Sequence, residues 1–204
     1  MRLGLDHAGS AVRSASQYQR SRVQKLTFSV RARECEVVDS SLFREGMRRL
    51  AASVHVVTCD HAGDRLGCTA TAVCSLSDQP PSLLVCLNQK SQTASGIKAS
   101  GRFAVNVLAS DDRAVAAHFA SRASSAEKFA RGEWLAAPNG APLLSSALVS
   151  FACSVEDIVS AGSHWMIVGS IEAISLGDEE RASLLYSHGN YGSFSSRSPQ
   201  ELQA

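Results

Sequence analysis

Two short runs of this chain carry residue types that could do chemistry together. In TATAVCSLS, Thr69, Ala70, Thr71, Ala72, Ser75 and Ser77 are small enough for a planar ring to lie against the backbone, leaving main-chain N–H and C=O groups and hydroxyls to face its edge. Further on, NQKSQT places Asn88, Lys90, Ser91 and Thr93 where a helix begins. Unpaired amides and the dipole at a helix start favour an anion by roughly 0.3–2 kcal/mol. A flat ring with a polar edge, followed by a phosphate, describes a flavin mononucleotide. The same residues also fit plain structure, a Ser/Thr-rich strand and a capped helix with no ligand at all.

Other chemistries have weaker support. GIKASGRF has the spacing of a phosphate loop, but Arg102 and Phe103 stand where Lys and Ser or Thr would hold phosphate and magnesium. G-x-G-x-x-G, G-x-S-x-G and H-E-x-x-H are absent, and His7, His55, His61, His118, His164 and His188 form no pair at metal-ligand spacing on one helix, so no metal site is expected. The six cysteines form no C-x-x-C pair and fall mostly in apolar runs, as buried thiols of a reducing cytoplasm would. A net charge of +1 over 204 residues exerts no overall pull on nucleic acid or membrane, and no apolar run is long enough to span a bilayer.

The elements that must position these residues begin after a basic leader. Residues 1–34 hold seven Lys and Arg against two acidic residues, and RSASQYQRSRVQK lacks the apolar periodicity to order itself. Residues 1–38 read as a mobile leader, a composition shared with transit peptides, nucleic-acid arms and bland extensions. A domain is expected over 39–194, with a short tail over 195–204. It opens with an amphipathic helix in which Leu42, Phe43, Met47, Leu50 and Ala51 share a face and Asp39 or Ser40 caps the start. VHVVTC, LGCTATAVCSLS, SLLVCLN, FAVNVL, LVSFACSVEDIVS and HWMIVGSIEAISL read as strands, and SLLYSHGNY as the run that closes their sheet. TASGIKAS, SDDRAVAAHFA (capped by Ser110 or Asp111) and AEKFARGEW read as short helices. Strands and helices do not alternate, so a mainly β, closed or partly closed antiparallel barrel is expected rather than a doubly wound sheet.

From about Phe43 to Tyr191 the chain resembles the short-chain flavin reductase family, the reductase components of two-component flavin-dependent monooxygenases. The resemblance rests on TATAVCS…PPSLLVCLN, FAVNVL, HFA, ALVSF and the turn Gly162-Ser163-His164, in that order. It implies a split β-barrel with a few peripheral helices, a homodimer, FMN or FAD as flavin, NADH or NADPH as hydride donor, and a partner oxygenase that receives reduced flavin. It puts ring contacts on Thr69, Ala70, Thr71, Ala72, Ser75 and Ser77, ribityl and phosphate contacts on Asn88, Lys90, Ser91 and Thr93, and the nicotinamide beside His164, the expected catalytic residue. Two positions depart from the family pattern. Thr71 stands where many relatives have Asn, and His188 stands where many have a basic residue before the Gly of the closing turn.

Within that expectation the chemistry belongs to the two cofactors, and the protein holds their rings in contact. Backbone amides of the 69–77 run would face the charge that arrives on the flavin, and His164 would orient the nicotinamide. Two other readings compete: a non-catalytic flavin- or haem-binding split barrel, and a nucleic-acid binder acting through the leader. Three further residues have rival roles. Asn106 could touch a ligand or satisfy neighbouring backbone, and Phe129 and Trp134 could line a pocket or plug a barrel end.

Overall fold

A computed structural model describes residues 38–195. The expected leader and tail lie outside it, apart from their boundary residues 38 and 195. Along the chain run α1 (Ser40–Arg48), β1 (Ala52–Ser53), β2 (His55–His61), β3 (Asp64–Ala70), β4 (Val73–Asp78), β5 (Pro81–Asn88), α2 (Gln92–Ser100) and β6 (Arg102–Val107). A 3-10 turn (Ser110–Asp112) then leads into α3 (Arg113–Ala120), α4 (Ser125–Phe129), β7 (Trp134–Ala136), β8 (Pro142–Leu144), β9 (Val149–Ala161), β10 (His164–Leu176), β11 (Ser183–Ser187) and β12 (Asn190–Phe194).

The main sheet has seven antiparallel strands in the order β3-β2-β6-β9-β10-β5-β4. Its two edge strands are consecutive in the chain. The run expected to be one strand is broken at Thr71 and Ala72, which cross from one edge of the sheet to the other. Laid flat, six gaps of about 4.8 Å would hold those edges roughly 29 Å apart. The peptide from Ala70 to Val73 reaches only about 10 Å, so the sheet must curl until its edges nearly meet. No ladder joins β3 to β4 among the described residues, which makes this a split rather than a closed barrel.

Burial on both faces of the central strands follows from that curl. In β2, Val57 and Cys59 enter one apolar cluster with Val85, Ile97, Phe103, Val105 and Ile167, while Val56 enters another with Leu108, Val115, Phe119, Leu144 and Leu184. Successive side chains of a strand point to opposite faces, so one strand serves both cores.

Two further expectations change. SLLYSHGNY does not close the main sheet; β11 and β12 pair with each other and with β1 in a separate three-stranded sheet. Val54 N–H donates to the Leu184 carbonyl and Leu184 N–H to that of Leu108, which draws β11 toward the chain entering β2 rather than toward an edge. The first helix forms where expected, capped by Asp39, but its apolar face is not buried. Leu42, Phe43, Met47 and Leu50 are 66%, 60%, 50% and 59% exposed. Periodicity established which side of α1 is apolar, and neither core of this chain reaches it.

Candidate flavin-binding site

Where β3, the start of α2 and the α3–α4 connection meet, they enclose a cavity of about 380 Å³. Cys68 and Thr69 supply one wall, Lys90, Ser91 and Thr93 a second, and Ser121, Arg122, Ser125 and Lys128 a third. The walls are fixed by close packing. A Cβ on Gly67 would fall 2.6 Å from the Phe119 ring, so only glycine lets α3 lie this near β3. The Thr69 hydroxyl donates to the Ala116 carbonyl at 2.6 Å and ties the same two elements. Behind them Phe119, Phe129 and Trp134 cluster with centroids 4.8–5.2 Å apart, Phe129 edge to face with each of the other two, so Phe129 and Trp134 form a plug.

Local signals shape the rest. Ser91 caps α2 by accepting from the Ala94 amide, and Asn88 Oδ1 accepts from the Lys90 amide at 2.9 Å, shaping the turn that delivers Lys90. Ser124 and Glu127 form a reciprocal capping box that starts α4 three residues after Arg122 and sets Lys128 one turn in. Burial pushes the Cys68 thiol up, opposed by hydrogen bonds with Thr93 and Ser91 and by the charge of Lys128. The thiol is therefore neutral at physiological pH.

The cavity has a clear charge sense. Lys90, Arg122 and Lys128 converge on it with the hydroxyls of Ser91, Thr93, Ser121 and Ser125, and no carboxylate lines it. The three cations fit a phosphate, which carries only acceptors. The hydroxyl hydrogens of Thr69, Ser121 and Ser125 are already committed, to the carbonyls of Ala116, His118 and Arg65, and only their lone pairs are left to face a ligand. Two residues on from Thr69, about 7 Å along extended chain, Thr71 and Ala72 line a second groove of about 500 Å³ with Met47, Leu50 and Tyr186. A basic cavity and a groove walled by Met47, Leu50 and Tyr186, with Arg44 and Arg48 also lining it, are thus joined by Thr69 and Ala70.

Residues 47–195 match the flavin reductase like domain family. The chain belongs to that family. It is 43% identical over 154 residues to a Methylorubrum extorquens protein named FMN reductase (NADH) RutF, covering 76% of this chain and 75% of that one. Among solved structures it is similar to a flavin reductase described as putative from Haemophilus somnus, with a TM-score of 0.75 and 32% identity over 77% of this chain and all of the other. BorF, the flavin reductase component of a bacterial two-component tryptophan halogenase, superposes with a TM-score of 0.72 and 31% identity, covering 78% of this chain and all of that one.

Of the residues expected to contact flavin, Thr69, Lys90, Ser91 and Thr93 meet in the cavity, and Thr71 and Ala72 line the adjoining groove. Ala70 is buried between them, its carbonyl 3.3 Å from His55 Nδ1. Ser75, Ser77, Asn88 and His164 line neither space. Ser75 and Ser77 lie exposed on edge strand β4. His164 is exposed at the start of β10, opposite Asn88, with Nδ1 2.9 Å from the Ser163 hydroxyl. The Gln89 amide clamps that hairpin by donating to Ser160 Oγ at 2.9 Å and to the carbonyls of Gly162 and His164 at 3.2 and 3.1 Å.

Arg122 and Lys128 were not anticipated. Their signal was present in SRASSAEKF, a Ser-rich link holding two basic residues and an S-x-x-E capping box. Asn106 is the opposite case. Its amide nitrogen donates to the Val56 carbonyl at 3.0 Å, while Oδ1 accepts from the Leu144 amide and the Ser150 hydroxyl at 2.9 and 2.8 Å. It satisfies its neighbours and faces no ligand.

Proposed function

We propose that this chain is an NADH-dependent FMN reductase whose reduced flavin serves a separate oxygenase-type component. The observation that carries this reading is the carboxylate-free cavity of Lys90, Arg122 and Lys128 at the start of α2, in a member of the flavin reductase family. Flavin and nicotinamide supply the hydride chemistry when bound. Lys90, Arg122 and Lys128 neutralise the phosphate, and Ser91 and Thr93 donate to its oxygens. Thr71 and Ala72 offer backbone groups to the ring edge, and the groove wall of Met47, Leu50 and Tyr186 shields one side from water. His164, held by the Gln89 clamp, hydrogen-bonds the nicotinamide part of the donor.

A homodimer belongs to the same proposal. The exposed face of Leu42, Phe43, Met47 and Leu50 adjoins the ring groove, and a second copy covering it would exclude water from both. Sedimentation of a monomer at micromolar concentration would remove this part alone. The catalytic reading is tested by mixing protein, FMN and NADH without oxygen and following the 450 nm flavin absorbance. Rapid bleaching is expected. Tight flavin binding with no acceleration over free FMN would leave a binding protein instead.

A further inference from the structure

The third wall of the basic cavity is carried by a short element. α4 has five residues, too few to hold a helical turn in water without outside contacts. Its start is fixed twice, by the capping box of Ser124 and Glu127 and by the Ser125 hydroxyl, which donates to the Arg65 carbonyl on β3. Its end is fixed differently. The Ala130 amide bonds the Ala126 carbonyl and the Arg131 amide that of Lys128, so no backbone donor meets the Glu127 carbonyl between them. His118 Nε2 lies 3.1 Å from that carbonyl. A carbonyl oxygen only accepts, so Nε2 carries the hydrogen and donates, a side chain standing in for the amide that the helix lacks. Among the described residues this is the one hydrogen bond between α3 and α4.

Both cations of the wall lie in or beside the loop that this contact closes. His118 and Glu127 are nine residues apart, with Ser121, Arg122 and Ser125 between them and Lys128 next after the acceptor. Lys128 Nζ donates in turn to the Gly67 carbonyl at 3.5 Å, which keeps it against β3. His118 itself does not line the cavity.

We propose that His118 is a positioning residue for the flavin phosphate: by tying the end of α4 to α3 it holds Arg122 and Lys128 in the cavity wall, and so sets the preference for phosphorylated over unphosphorylated flavin without touching either. The inference rests on the phosphate-cavity reading above. Neither α3 nor α4 lines the groove of Thr71 and Ala72, so riboflavin, which has no phosphate, should not sense the loss of His118.

The test is a set of dissociation constants for riboflavin and FMN, with Tm, on the full chain. His118→Ala should weaken FMN about fivefold and leave riboflavin within about twofold. His118→Gln keeps an N–H donor the same number of bonds from Cα and should return FMN to within about twofold of the parent. When Arg122 and Lys128 are both replaced by Ala, adding His118→Ala should change FMN affinity less than about twofold, because the groups it positions are gone. Equal weakening of riboflavin and FMN, with or without a fall in Tm, would overturn the proposal and leave His118 a structural residue. So would an unmoved FMN constant, a Gln variant no better than the Ala one, or a full loss in the background without the two cations. Should FMN bind the parent chain no tighter than riboflavin, the phosphate cavity itself fails, a result separate from failure of the His118 variants alone.

Discussion

The cavity at Lys90 and the cluster around Asn106 are both polar, both lie beside β2 and its neighbours, and both contain Ser and Thr hydroxyls. Around Asn106 donors and acceptors balance, because the side chains of Thr58 and Ser150 and the backbone of Val56, Pro142 and Leu144 consume one another. In the cavity three cations line open volume with no carboxylate among them, while the hydroxyls of Thr69, Ser121 and Ser125 already donate to backbone carbonyls. Balanced polar groups specify a core; a surplus of donors around a void specifies an anion. Hydroxyl content alone does not separate the two.

The largest expected effect comes from breaking the balanced cluster. Asn106→Ala removes the acceptor of two buried donors and should cost about 3–4 kcal/mol, lowering Tm by roughly 6–16 °C, measured by calorimetry. FMN affinity of the folded protein should not change. A large loss of flavin affinity at unchanged Tm would move Asn106 into the site.

Substitution in the cavity should do the reverse. Arg122→Ala or Lys128→Ala should each weaken FMN by about 1.5 kcal/mol, roughly tenfold, the low end for a charged hydrogen bond because both side chains meet solvent. Riboflavin affinity and Tm should stay close to those of the parent. Equal losses for riboflavin and FMN would show that the cations do not meet a phosphate.

His164 lies outside both regions and tests whether the nicotinamide has its own contact. His164→Ala should remove about 0.5–1.5 kcal/mol of donor binding, raising the NADH KM up to about tenfold while FMN affinity holds. An unchanged KM withdraws it from the site.

His55 gives the smallest effect. It is buried and its pKa is held below the ordinary 6.5, chiefly by desolvation and against the hydrogen bond to Ala70. The unfolded chain therefore takes up this proton first as pH falls. The stabilising contribution is complete above about pH 6.5 and is lost as pH falls through the lowered folded value. His55→Gln should flatten the Tm profile between about pH 7 and 5; an unaltered slope would place the acid sensitivity elsewhere.

Much of the architecture was legible one element at a time. Strand-like apolar runs marked β2, β6, β9 and β10, and Asp39, Ser91 and Ser124 with Glu127 are caps written in residues two or three apart. The small residues from Thr69 to Ser77 and the basic turn at Lys90 were visible for the same reason, since they are short-range patterns. What was not legible depended on distant neighbours. Arg122 and Lys128 face Lys90 only because Phe119 packs on Gly67 and folds α3 and α4 back over β3. Asn106 and Thr69 differ in role because of partners at Ser150 and Ala116, far along the chain. The break at Thr71 exists because one sheet must curl to bring its edges together, and the bare face of α1 because no core lies beneath it. A local pattern dictates which groups need partners; only the packed chain decides which of them already have one.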